Sequence, residues 1–198
     1  NYLPNWALGI VLELEEYLYR TGDTETIARA RPRVYELVEF FRSYLNGDGL
    51  LEKLPKWVFV EYSKANKLVQ DVSYPSNMLY AEMLDVVSRL YSDKALAEQA
   101  ANIRKVILKQ SFDGEYFIDN AVRNPQGELV PSGKHTEVCQ YYAFLFGVAT
   151  PESHPALWRR LCDEIVPGRV ERGLYEDLYP INAFIRRCKP KNPLTILI

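Results

Sequence analysis

The chain has little of what usually announces a chemistry. It holds only two histidines, His135 and His154, and no H-E-x-x-H pair, glycine-rich phosphate loop or nucleophile elbow. Zincin, P-loop and α/β-hydrolase chemistry therefore have no sequence support. The cysteines Cys139, Cys162 and Cys188 are odd in number and include no C-x-x-C pair, which argues for buried free thiols over a disulfide framework or zinc site. No metal and no cofactor is expected. No apolar run approaches the ~18 residues that cross a bilayer, and the first residues lack a basic-then-apolar leader pattern. A net charge of -2 and a pI near 5.8 give no electrostatic reason for nucleic acid or an anionic membrane to be a partner. The first residue is Asn, a start compatible with a longer upstream segment, and the compartment stays unassigned.

What is present is a recurring junction. Leu3-Pro4-Asn5-Trp6, Tyr74-Pro75-Ser76-Asn77, Ser132-Gly133-Lys134-His135-Thr136-Glu137 and Tyr179-Pro180-Ile181-Asn182 each lead from a polar, proline- or glycine-bearing segment into an aromatic-rich stretch. Proline is tolerated at a first helical turn, and Asn, Ser and Thr accept bonds from the unpaired first amides. Four such starts suggest helical hairpins opening toward one rim, where a site can form. At 198 residues and 47% hydrophobic, the chain can bury one core.

Apolar spacing predicts helices over about 5–20, 24–46, 76–91, 93–109, 136–146 and 155–165, with a seventh from about Asn182. The first is apolar on more than one side and reads as an inner helix packed on most faces. Trp57-Val58-Phe59-Val60-Glu61-Tyr62 reads as a short extended piece inside a long connection. Residues 112–118 and 128–130 are expected to form a small hairpin around Asn124-Pro125-Gln126-Gly127.

Six segments carry a resemblance together: Pro4-Asn5-Trp6-Ala7-Leu8, Tyr19-Arg20-Thr21-Gly22-Asp23, Asp48-Gly49-Leu50-Leu51, residues 57–62, Ser76-Asn77-Met78-Leu79-Tyr80 and Thr136-Glu137-Val138-Cys139-Gln140-Tyr141-Tyr142-Ala143-Phe144. In order and spacing they resemble the middle of the catalytic domain of bacterial α-L-rhamnosidases, glycoside hydrolase family 78, which fold as six-hairpin (α/α)6 toroids. The resemblance spans about residues 3–186. It implies an all-α fold of antiparallel helical hairpins, about half of a toroid over 1–187, with a small β-hairpin in a connection and an atypical tail at 188–198. It also implies hydrolysis of terminal α-L-rhamnosides, a carbohydrate ligand and no cofactor. The family's acidic motif and its general-base Glu are expected upstream and downstream of these residues. In the family, the segment similar to 57–62 usually ends in Asp-Trp, the Asp contacting sugar. Here it ends in Glu61-Tyr62, which sets the carboxylate one methylene further out.

Glycoside hydrolysis generally uses two carboxyl groups flanking the scissile bond. On the expected rim the catalytic candidates are Glu61, framed by Trp57, Phe59 and Tyr62, and Glu137, at the opening of an aromatic helix. The plainer alternatives are a half-exposed Glu after a strand and a first-turn Glu favoured by the helix dipole. Trp6 and Trp57 would supply stacking faces, and Tyr62, Asn77, His135 and Asn182 complete the substrate-binding candidates, the two Asn reading equally as helix caps. His135 and Glu137, two apart, do not share a helix face, which argues against a metal or a dyad. Two other readings remain: an inactive remnant that binds carbohydrate or itself, and a weak promiscuous hydrolase in an exposed groove. Half a ring leaves apolar faces uncovered, so a homodimer is expected, with the apolar tail 194–198 as a possible contact.

Overall fold

In a computed structural model covering residues 3–61 and 64–164, helix starts fall where the local sequence can satisfy the first amides. α1 (Pro4–Thr21) places a proline in its first turn, and α2 (Thr24–Arg42) is capped by Asp23. Asp23 accepts bonds from the Thr26 amide (2.9 Å), the Thr26 hydroxyl (2.6 Å) and the Tyr17 hydroxyl (2.8 Å), which hold its carboxyl down at about 2. Ser73 caps α3 (Tyr74–Tyr91), and Thr136 caps α5 (Glu137–Leu145). α4 (Lys94–Ser111) and α6 (Pro155–Glu164) complete the six α-helices of the described residues. Two-residue connections after α1 and α3 force antiparallel neighbours, and α1, α3 and α5 pack side by side. The architecture is mostly helical with one small sheet, as the sequence predicts.

Two details of that expectation change. The sheet has three strands, β1 (Val72–Ser73), β2 (Asn120–Arg123) and β3 (Leu129–Pro131), in the order β1-β2-β3. The turn at 124–127 is where it was expected, but its N-terminal arm is 120–123 and not 112–118. Residues 112–118 instead close on themselves through a Phe112–Phe117 bridge. The helix packed on most faces is α3, not α1. Tyr74, Met78, Tyr80, Met83, Leu84 and Val87 are all fully buried, because α1, α2, α4 and α5 surround it. α1 flanks α3 and leaves Trp6 59%, Ile10 60% and Tyr19 87% exposed. Cys139 is a buried free thiol, while Cys162 is disulfide-bonded, so three free thiols is not the outcome. The seventh helix start, Cys188 and the tail lie outside the described residues.

The first two hairpins repeat one device. After α2, Leu45 bridges Leu51 across a turn holding Gly49 at φ 77°; after α4, Phe112 bridges Phe117 across a turn holding Gly114 at φ 106°. Those φ values favour glycine. Each turn is then tied to the next helix by a buried amide four residues after its cap. Asn77 accepts from the Leu51 amide (2.6 Å) and donates to Leu51 O (3.0 Å) and Ser73 O (2.9 Å). Gln140 accepts from the Phe117 amide (2.8 Å) and donates to Phe117 O (2.8 Å) and Thr136 O (2.9 Å).

An ion pair fastens the first turn to the sheet. Arg123 meets both Glu52 oxygens at 2.9 and 2.6 Å, and these bonds pull the Glu52 carboxyl down to about 2. A depressed carboxyl contributes stability above its unfolded value, here 4.5, and loses it as pH falls toward 2. Arg123→Met should therefore flatten the acid limb of stability over that window. Urea unfolding against pH measures it, and an unchanged slope would remove the pair from the account.

Candidate functional site

A groove of about 970 Å³ runs along the inner helices. α1 forms one wall with Asn5, Trp6, Ile10, Glu13 and Tyr19, α3 forms the floor with Leu79, Glu82 and Val86, and the end of α5 contributes Tyr142, Leu145 and Phe146. Residues 59–61 close one end. Of the helix starts expected to share a rim, only that of α1 lines this groove; α3 contributes from its middle and α5 from its end.

Residues 57–61, read as a short extended piece, carry no strand pairing. Their side chains and two tertiary bonds hold them instead. Trp57 meets Phe59 edge-on at 5.2 Å, and Phe59 meets Trp6 edge-on at 6.2 Å, a chain of three rings of which Phe59 and Trp6 line the groove. Val58, Phe59 and Val60 are buried. The Asn66 carboxamide accepts from the Val60 amide at 2.8 Å, and the Tyr142 hydroxyl donates to Val60 O at 3.0 Å. That hydroxyl also lies 3.4 Å from Glu61 Oε1, and burial with the facing carboxylate pushes the phenol well above its usual range. Tyr142 stays protonated at any physiological pH; its single proton goes to Val60 O, and Glu61 lies beside the phenol at the longer distance. Tyr142 sits in a segment that carried the family resemblance, but nothing in a run of aromatics distinguishes the one that faces a carboxylate.

Three of the other carboxylates of the groove, Glu15, Glu16 and Glu82, are held by arginines outside its lining. Arg89 grips Glu15 at 2.6 and 2.8 Å and reaches Glu82 at 3.2 Å. Arg104 bonds Glu82 at 2.8 Å, the Phe146 carbonyl at 2.6 Å and Asp85. This chain joins α1, α3, α4 and the end of α5 behind the groove.

The sequence candidates are thus divided. Trp6 and Glu61 face one groove, with Trp57 one ring removed. Glu137 does not line it; it is exposed in the first turn of α5, 3.4 Å from the Tyr141 hydroxyl. His135 stacks on Tyr116 at 4.3 Å with the planes 5° apart, and Arg160 covers the same Tyr116 ring at 5.0 Å. Asn77 is fully buried and spends its amide on backbone, and Ser73, not Asn77, is the cap. Tyr62 and Asn182 lie outside the described residues. Beside His135, the buried Asp119 accepts from the Thr136 amide (2.6 Å) and hydroxyl (2.8 Å). Burial nevertheless pushes its carboxyl up to about 6, which marks a packed joint between sheet and α5.

Neither a protein-family model nor a curated protein matches this chain. Two solved structures do. A GH78 family rhamnosidase of Bacillus sp. GL1 superposes with a TM-score of 0.70 at 19% identity, over 84% of this chain and 18% of its own. A rhamnosidase from Klebsiella oxytoca, solved with rhamnose bound, gives a TM-score of 0.69 at 14% identity, over 95% of this chain and 35% of its own. The chain therefore has the fold of part of these rhamnosidases and spans only a fraction of their length.

Proposed function

We propose that this chain is a rhamnosidase-like glycoside hydrolase domain whose groove takes a terminal α-L-rhamnoside. The observation that carries this reading is one groove lined by Trp6 and Phe59, with Trp57 packed behind Phe59, and by the Glu61 carboxylate beside Tyr142. Aromatic faces pack against the C–H face of a pyranose, and a buried or half-buried carboxylate accepts its hydroxyl hydrogens. The fold shared with a rhamnosidase that binds rhamnose supports the choice of sugar. In this reading Glu61 holds the sugar. Hydrolysis needs a second carboxyl across the bond, and Glu137, outside the lining, does not face Glu61 across the groove. That placement favours binding without turnover as the second reading.

The test is a titration with methyl α-L-rhamnoside followed by the indole signals of Trp6 and Trp57, together with p-nitrophenyl α-L-rhamnoside release. Glu61→Gln should weaken binding, and any release, by at least about 10-fold. Equal affinity in the variant would sink the reading; binding without release selects the non-catalytic one.

The exposed Trp6, Ile10 and Tyr19 also support a homodimer in which a two-fold related copy covers the same face. Light scattering decides it: a mass of 22.9 kDa at micromolar concentration means no dimer. If the face is shared, methyl α-L-rhamnoside should shift the protein toward monomer.

A further inference from the structure

Among the described residues, the groove lining contains five carboxylates, Glu13, Glu15, Glu16, Glu61 and Glu82, and no Lys or Arg. Arg20 pairs with Glu16, Arg89 with Glu15 and Glu82, and Arg104 with Glu82 and Asp85, so three guanidiniums answer a larger number of acids from outside the lining. Glu13 forms no ion pair among the described residues. Like charges along a cleft with low-dielectric walls reinforce one another, because field lines are confined to the solvent in the groove. A second observation points to a ligand. Asn5, in the α1 wall beside Trp6, is only 4% exposed, yet neither its amide nitrogen nor its carbonyl oxygen has a partner. Buried amides are almost always paired, so Asn5 holds an unused donor and acceptor; both atoms are closed to solvent here, and a ligand reaches them when the α1 wall shifts.

We propose that the groove selects uncharged glycosides, its carboxylate wall repelling a ligand that carries a uronic acid while the Asn5 amide pairs with sugar hydroxyls. This rests on the rhamnoside-binding reading and adds what the rest of the substrate must be: a neutral sugar or neutral aglycone next to the rhamnose. Discrimination works by repulsion. A carboxylate on the ligand meets the wall in a screened but partly enclosed space and loses affinity, while hydroxyls lose nothing.

The experiment compares α-L-rhamnosyl-galactose with α-L-rhamnosyl-galacturonate, a pair that differs by the carboxylate. Tryptophan fluorescence of the full chain is followed at about 20 and about 300 mM salt, where screening lengths differ severalfold. At low salt the uronate should bind about 10-fold more weakly, and the gap should shrink at high salt and in Glu13→Gln. Equal affinities at low salt overturn the proposal. Should neither sugar bind, the rhamnoside reading fails, and a second readout decides the charge question alone. A cationic amino-nitroxide should broaden the Trp6 indole signal more than an anionic carboxy-nitroxide at equal concentration. Equal broadening also overturns it. Loss of neutral-sugar affinity in Asn5→Ala with an unchanged unfolding midpoint is expected, and an unchanged affinity would remove Asn5 from the proposal.

Discussion

Asn77→Ala should cost about 3 kcal/mol of folding stability, the sum expected when a buried amide is removed and its partners lose their bonds. The side chain is fully buried, and it serves both polar backbone groups of Leu51 and the carbonyl of Ser73. No water-filled surface is near enough to take them over, since Leu50, Leu51 and Ser73 are themselves buried. Part of the loss is softened because Ser73 O can still accept a helical bond. Urea unfolding of the variant measures it, and a loss below about 1 kcal/mol would mean the turn relaxes to recover its bonds. Gln140→Ala should behave alike, because the same three-bond arrangement fixes Phe117 to α5. If only one of the two matters, the repeat is geometric and not energetic.

Arg104→Met should cost about 2–3 kcal/mol, less than a fully buried ion pair because the pair retains some exposure. Its side chain is 16% exposed, and its loss takes a guanidinium from Asp85 and the Phe146 carbonyl and leaves Glu82 with Arg89 at 3.2 Å. The effect should reach the groove, since Glu82 and Phe146 both line it. We expect weaker glycoside binding as well as a lower unfolding midpoint. Arg104→Lys should recover only a fraction of either, because one ammonium cannot span three acceptors on α3 and the α5 end. Full recovery by lysine would show that charge alone, not the planar fork, holds the wall.

Much of the fold was legible in the residues. Proline at a first turn, Asp23 before α2 and Thr136 before α5 are local signals, and a local signal needs no knowledge of the rest of the chain. The turn at Asn124 to Gly127 is likewise written in its own four residues. The candidate site was legible only in part. Trp6 was singled out by its place in a helix-start junction and Glu61 by its aromatic frame, and both line the groove. Asn5 and Tyr142 were missed because their importance lies in what surrounds them: an amide without a partner and a phenol facing a carboxylate from another segment.

Asn77 shows the converse. Its position after a proline suggested a cap or a ligand contact, and only its burial and its bonds to Leu51, 26 residues away, reveal a backbone clasp. Glu137 was paired with Glu61 because both were expected on the rim of helix starts, and tertiary packing put it outside the groove. The sequence by itself determined where helices start, that they alternate in hairpins, and that no metal-ligand motif is written into the chain, because caps, turns and motifs are properties of neighbouring residues. Only the tertiary structure decided which helix is central, which aromatics are exposed and which carboxylates share a groove. Burial and electrostatic company depend on contacts between segments far apart in the chain, and no local pattern encodes them.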